Sequence, residues 1–260
     1  MSAPLFQYVY AILPATTPVP TDLAGSAGNP LEPVRYRDLV AVTSAVDPKD
    51  VRPREEDVVA HESIVEALHR AGPLLPVRFG TLLPGKEDVE RALAKNYDIL
   101  MADLERLGDK VEFGLTVLWD ETPADGGIDG DEPTSLGGPG ARYLQTRLAE
   151  HRRETAVRAR AQALAESLDA SLAQYAVEGH QTVYPSGRIA VRAAYLLPPA
   201  RVHAFQSAFE RSREQHPEVR CLLSGPWPPY SFVTAAKGRS VITGDPHDGA
   251  NRSGVPGQQT

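Results

Sequence analysis

The sequence predicts an α+β protein of two α/β-sandwich-like domains, the second ferredoxin-like and built on a long helix that follows a glycine-rich acidic linker. Three observations carry this. Apolar positions alternate over some runs and recur every three or four residues over others, so strands and helices are interleaved. A stretch at 121–140 holds six glycines, three prolines and five acids with no Lys or Arg, the composition of a linker. From residue 111 the elements run β-α-β-β-α-β, an order that closes one sheet under two helices.

The elements follow in chain order. Residues 5–13 are almost wholly apolar, with Phe6, Tyr8, Tyr10 and Ile12 sharing one face of a buried strand. Five prolines between 14 and 33 mark a loop. Leu39–Val46 is apolar and β-branched, a second strand ended by Asp47-Pro48. Residues 55–71 place Val58, Ile64, Val65 and Leu68 near helical spacing before Gly72-Pro73. Leu74–Phe79 reads as a third strand. From Lys86 the row Val89, Leu93, Tyr97, Leu100, Leu104, Leu107 predicts one amphipathic helix that ends at Gly108. Val111 to Trp119 alternates as a fourth strand.

Beyond the linker a helix is predicted from Tyr143 to Val177, its apolar stripe running Val157, Ala161, Leu164, Leu168, Leu172, Tyr175. At ~1.5 Å per residue it spans roughly 50 Å, so part of it must lie outside a small domain's core. A hairpin turning at Pro185-Ser186-Gly187, a helix bearing Val202, Phe205, Phe209 and Ser212, and a strand at Val219–Ser224 complete the set. The expected domains are residues 1–120, a linker at 121–140, a second domain at 141–236 to which strand 111–119 is also assignable, and a tail at 237–260.

The chain has 260 residues and a net charge of −7. That balance argues against binding nucleic acid or an anionic lipid membrane, which needs clustered cations. The Arg-rich start of the long helix (Arg142, Arg147, Arg152, Arg153, Arg158, Arg160) is the local exception; its default reading is a solvated charged face. A single cysteine, Cys221, permits no internal disulfide and fits a reducing cytosol. The apolar start stops at Pro14 and lacks a basic flank, unlike a signal peptide. No run approaches the ~20 apolar residues of a membrane span.

Short motifs offer little chemistry. Gly80 to Lys86 satisfies G-x-x-x-x-G-K between a strand and a helix, which raises a nucleotide-dependent assembly factor using the turn 80–87 as the alternative function. Glu87 stands where Ser or Thr would hold Mg²⁺, and Pro84 removes an amide from the cradle. His61-Glu62 opens like a zinc-protease helix, but residue 65 is Val, so His61 reads as a packed histidine. Gly126–Asp131 resembles a calcium repeat that occurs once and lacks the closing Glu. No catalytic, cofactor or metal residues are assigned.

Several segments are too unusual to be generic. They are Leu75-Pro76-Val77-Arg78-Phe79-Gly80-Thr81 after His61-Glu62, and Ser224-Gly225-Pro226-Trp227-Pro228-Pro229-Tyr230-Ser231-Phe232. With Tyr8-Val9-Tyr10-Ala11-Ile12, Asp38 to Ser44, Val111-Glu112-Phe113-Gly114 and Arg142-Tyr143-Leu144, they resemble the gas vesicle protein F/L family over roughly residues 5–236. The resemblance implies a cytoplasmic, gas vesicle-associated assembly factor or minor structural protein, not an enzyme and without cofactors. It implies the hydrophobic shell protein and other accessory proteins as partners.

The candidate contact residues are Arg78, Phe79, Trp227, Pro228, Pro229, Tyr230 and Phe232. A proline-stiffened segment loses little entropy on binding, and aromatics are enriched at interfaces. The alternative is that the aromatics lock the segment onto its own sheet and that Arg78 forms a buried bridge.

Overall fold

The computed structural model describes residues 5–20, 23–119, 139–184 and 187–234. Of these, one unit takes the residues up to Gly108 together with Val233 and Thr234, and the other takes Asp109–Phe232.

The first unit is built on β1 (Phe6–Pro14), whose interior residues are all buried. It also holds β2 (Glu32–Tyr36), β3 (Leu39–Val46), α1 (Glu55–Ala71), β4 (Leu75–Pro76), β5 (Leu82–Leu83), α2 (Lys86–Lys95) and α3 (Tyr97–Leu107). The antiparallel sheet runs β2-β3-β1-β4, and β5 pairs with β1 further along the same edge. A bulge between Val9 and Ala11 puts the extra residue, Tyr10, beside Tyr8. Helix α1 lays His61, Ile64, Val65 and Leu68 into the core.

Three expectations are corrected here. Strand β2 enters a stretch read as loop; only Val34 of its five residues is buried, and Pro33 is tolerated because β2 is an edge strand. The third strand is not continuous from Leu74 to Phe79. It pairs at Leu75–Pro76, bulges outward over Arg78–Gly80, and resumes as β5. The helix expected from Lys86 through Leu107 is two helices. The Asn96 amide donates to the Ala92 carbonyl at 2.8 Å and takes the bond a continuing helix would need, so the chain turns there.

The second unit holds β6 (Val111–Trp119), α4 (Pro139–Leu172), β7 (Glu178–Val183), β8 (Ile189–Leu197), α5 (Val202–Gln215) and β9 (Val219–Trp227). Its antiparallel sheet, ordered β7-β8-β6-β9, has the ferredoxin-like arrangement. One face carries Phe113, Leu115, Val117, Val191, Tyr195 and Cys221 against Ala161, Leu164, Leu168 and Leu172 of α4 and Phe205 and Phe209 of α5. Phe205 lies 5.4 Å, ring to ring, from both Phe113 and Tyr195. The long helix ends at Leu172 and passes into a short 3-10 turn at Ala173–Tyr175. β9 runs three residues past the expected Ser224.

Residues 120–138 of the acidic stretch, Pro185-Ser186 of the hairpin turn and the tail from 235 lie outside the described residues. Pro139 and Gly140 already belong to α4. Among the described residues no helix is long and apolar enough to cross a membrane.

The second half of α4 is docked, whereas every residue from Tyr143 to Ala156 is exposed. Leu168→Ala, in the docked half, is expected to cost about 2–5 kcal/mol in urea unfolding. Leu148→Ala, on the exposed half, is expected to stay within about 0.5 kcal/mol of the parent.

Candidate functional site

The unusual sequence segments resolve into two surface segments, each fixed from beneath by buried polar groups. The first is the bulge between β4 and β5. Val77 N–H donates to the Tyr10 carbonyl and Val9 N–H to the Thr81 carbonyl, at 2.9 and 3.0 Å, which ties both ends of the bulge to β1. The Thr81 hydroxyl donates to the Arg78 carbonyl at 2.7 Å. Below it, His61 is 2 % exposed. Its Nε2 lies 3.0 Å from the Val77 carbonyl, and its Nδ1 lies 3.0 Å from the Tyr8 hydroxyl.

A carbonyl only accepts, so Nε2 carries the proton and Nδ1 accepts from Tyr8. The Tyr8 oxygen in turn accepts the Gly80 N–H at 3.1 Å. Burial pushes the His61 pKa down to about 4, against the smaller opposing effect of the Val77 bond, and pushes the Tyr8 phenol up. The histidine is therefore neutral at pH 7 and serves as a structural hub, as its apolar neighbours in α1 indicate.

Tyr10 does the same work for the proline-rich loop. Its oxygen accepts the Ser26 N–H at 2.6 Å and bonds the Ser44 hydroxyl at 2.8 Å. A side chain at Gly25 would meet these two groups at 2.8–2.9 Å.

On this base Phe79 is half-buried, packed edge-on to Tyr8 and His61. Arg78 is exposed, and its guanidinium makes no ion pair among the described residues. The buried bridge considered for it is not formed. The phosphate-loop reading meets a similar obstacle. Leu82 and Leu83 are paired with β1, and Lys86 is engaged with Glu32 at 2.8 Å.

The second segment begins in β9. Gly225 has φ 121°, and a Cβ there would lie 2.7 Å from the Glu112 carbonyl, so only glycine fits. The Gly225–Pro226 peptide is cis. After Trp227 the chain does not continue extended, as its prolines suggest. Tyr230 N–H donates to the Pro228 carbonyl and Phe232 N–H to the Pro229 carbonyl, which makes a tight turn.

The Glu112 carboxylate, only 8 % exposed, accepts the Ser231 N–H at 2.8 Å and the Ser231 hydroxyl at 2.6 Å. Phe232 is buried against His180. Pro228 and Pro229 are buried, Tyr230 is half-buried, and Trp227 is 44 % exposed. Just beyond, in the first unit, the buried Asp103 accepts the Thr234 N–H and hydroxyl, each at 2.7 Å, and the Arg106 guanidinium at 2.6 Å.

The sequence motifs contain Glu112 and Ser231 without showing a role for either, and they leave out Asp103 and Thr234. The available signal was an acid placed among core positions: Glu112 inside an apolar strand, and Asp103 beside Leu100, Leu104 and Leu107. Among the described residues no group of three His, Cys, Asp or Glu side chains is placed to hold a metal ion.

Comparison with known proteins places these segments in context. The family model described as gas vesicle synthesis protein GvpL/GvpF matches residues 7–234. The chain is 32 % identical to gas vesicle protein L of Streptomyces sp. strain CB03234, over 91 % of this chain and 96 % of that protein. It is 29 % identical to gas vesicle protein F of the same strain, over 87 % and 98 %. The fold is similar to the crystal structures of GvpF from Anabaena sp. PCC7120 (TM-score 0.73, 19 % identity, covering 88 % of this chain and 96 % of that one) and from Microcystis aeruginosa (0.71, 20 %, covering 88 % and 98 %).

Two outcomes test the hub. Tyr8→Phe leaves His61 Nδ1 and Gly80 N–H without their partner and is expected to cost about 1–3 kcal/mol. His61 binds its proton near pH 4 when folded and near 6.5 when unfolded. The unfolded chain therefore holds the extra proton between these values. Its contribution is full above pH 6.5 and falls, by roughly 2–4 kcal/mol, as pH drops toward 4. Urea titrations at several pH values should show a flatter dependence in His61→Gln than in the parent.

Proposed function

This chain belongs to the gas vesicle synthesis protein GvpL/GvpF family, and we propose that it acts without catalysis, as an accessory or minor structural protein in gas vesicle assembly. It does so by binding the hydrophobic shell protein and other accessory proteins, in the cytoplasm and at the gas vesicle. The observation that supports this reading is the placement of Trp227. A large aromatic remains nearly half exposed at the end of a strand whose glycine turn, buried prolines and Glu112–Ser231 bonds leave it little freedom. Exposed aromatics on rigid supports bind with small entropic loss and are favoured at interface centres.

Arg78 is the second contact residue, displayed on the bulge of the first unit, with Phe79 partly accessible beside it. Phe232, Pro228 and Pro229 act as supports of the Trp227 surface, because they are buried within the chain, and Tyr230 belongs to both roles. The polar groups that elsewhere do chemistry are here committed to internal bonds. His61 is consumed by Tyr8 and Val77, and Asp103 and Glu112 by Thr234 and Ser231. No observation favours the nucleotide-dependent alternative.

Trp227→Ala is expected to unfold like the parent, within about 1 kcal/mol, while its co-purification with the gas vesicle shell protein weakens. Phe232→Ala is expected to lose about 3–5 kcal/mol of stability. Normal shell-protein recovery with folded Trp227→Ala would remove the segment from the interface. Normal gas vesicles in cells lacking this chain and its close copies would remove the assembly role itself.

A further inference from the structure

Among the described residues, the exposed half of α4 has no core to rest on. All side chains from Tyr143 to Ala156 are exposed, including three large apolar ones, Tyr143 at 61 %, Leu144 at 68 % and Leu148 at 49 %. A helical segment of this length is marginal in water by itself, since helices draw most of their stability from a packed face. The docked half buries Ala161, Leu164, Leu168 and Leu172. Carried back at about 100° per residue, that row meets Tyr143, Arg147, Glu150 and Glu154, where Arg147 pairs with Glu150 at 3.3 Å and lies over the Tyr143 ring. This side has thus become mostly polar, with Arg147 engaged by Glu150 and Tyr143.

A different row, about a third of a turn away, carries Leu144, Leu148, His151 and Thr155. Its flanks are basic on both sides: Arg152 on one, Arg147 and Arg158 on the other. Arg152 and Arg158 make no ion pair among the described residues. Between Tyr143 and Arg160 five arginines stand against two glutamates, a net charge of +3 in a chain of −7.

We propose that this row is a docking face for an acidic amphipathic helix of another protein, which lays its apolar seam on Leu144 and Leu148 and its carboxylates against Arg152 on one side and Arg158 on the other. Opposite charges flanking a shared apolar seam are how paired helices choose partners. A second copy of this face would bring arginine against arginine, which the same charges disfavour. Nucleic acid would leave the two leucines without a counterpart. The proposal deepens the assembly reading above by naming the chemistry of one partner, and it rests on that reading.

The probe is a synthetic helical peptide of three heptads with Leu at the a and d positions and Glu at e and g, with a scrambled peptide of equal composition as control. Fluorescence anisotropy with the full chain is expected to show saturable, salt-sensitive binding of the first peptide only. Leu144→Glu with Leu148→Glu is expected to weaken it by at least about tenfold, with thermal unfolding unchanged. Arg152→Glu with Arg158→Glu should abolish it and transfer binding to the corresponding Lys-flanked peptide.

Equal binding of both peptides, or parent-like affinity in the leucine variant, overturns the proposal. So does duplex DNA or an anionic lipid vesicle binding this face when the acidic peptide does not, or self-association of the chain that Leu144→Glu removes. If the peptide fails while cells still need this chain to form gas vesicles, only this face is lost and the assembly role stands.

Discussion

Tyr8 donates a hydrogen bond to a histidine sealed from water, and that histidine donates in turn to the carbonyl of Val77. A polar group buried without a partner costs on the order of a few kcal/mol, so these atoms hold one another to a single arrangement. The consequences spread along β1. Since Tyr8 also takes the Gly80 amide, the bulge that lifts Arg78 off the sheet has one shape. Since the extra residue of the β1 bulge is a second tyrosine, the proline-rich loop is held at Ser26 by the same device. Each loop thus hangs on one tyrosine of β1, Gly80 on Tyr8 and Ser26 on Tyr10.

The second unit solves a similar problem with a carboxylate. Glu112 is placed where a strand residue faces away from the helices, and it uses both oxygens to grip Ser231. Charge-assisted bonds of this kind are about twice as strong as neutral ones. The turn that follows β9 is therefore closed by backbone bonds, buried prolines and an anion together, and the exposed indole of Trp227 stands on it. A family concerned with gas vesicle synthesis thus presents, in this member, fixed displays on β-edges and a helix projecting beyond its domain core.

Much of this was legible in the sequence because periodicity is a direct record of burial. The α4 stripe, the alternation of β6 and the row in α5 are each long enough for one face to be counted. Where the reading failed, a local polar interaction had overruled the pattern. Asn96 interrupts an unbroken apolar row by capturing a backbone carbonyl, and β2 buries one residue in five and so leaves no pattern. The candidate site was visible as motifs whose roles were hidden. Phe232 looks like Trp227 on paper, and only the turn at Pro228–Phe232 decides that one is buried and the other displayed. The buried roles of Glu112 and Asp103 stayed hidden because hydrophobic patterns treat an acid as an outward position, while pairs of donors 119 and 131 residues downstream turn these two inward.

Cys221 gives the second unit a built-in chemical clock. It is the chain's single thiol, packed at 5 % exposure between the sheet and α5, and burial raises its pKa. Alkylating reagents attack only the thiolate and only where they can reach it. The rate at which this sulfur is modified therefore rises as the β9–α5 layer loosens, with no label to add and no second sulfhydryl to subtract. A cysteine introduced anywhere on the surface would react first, so fluorophores can be placed on the intact protein without removing the native one.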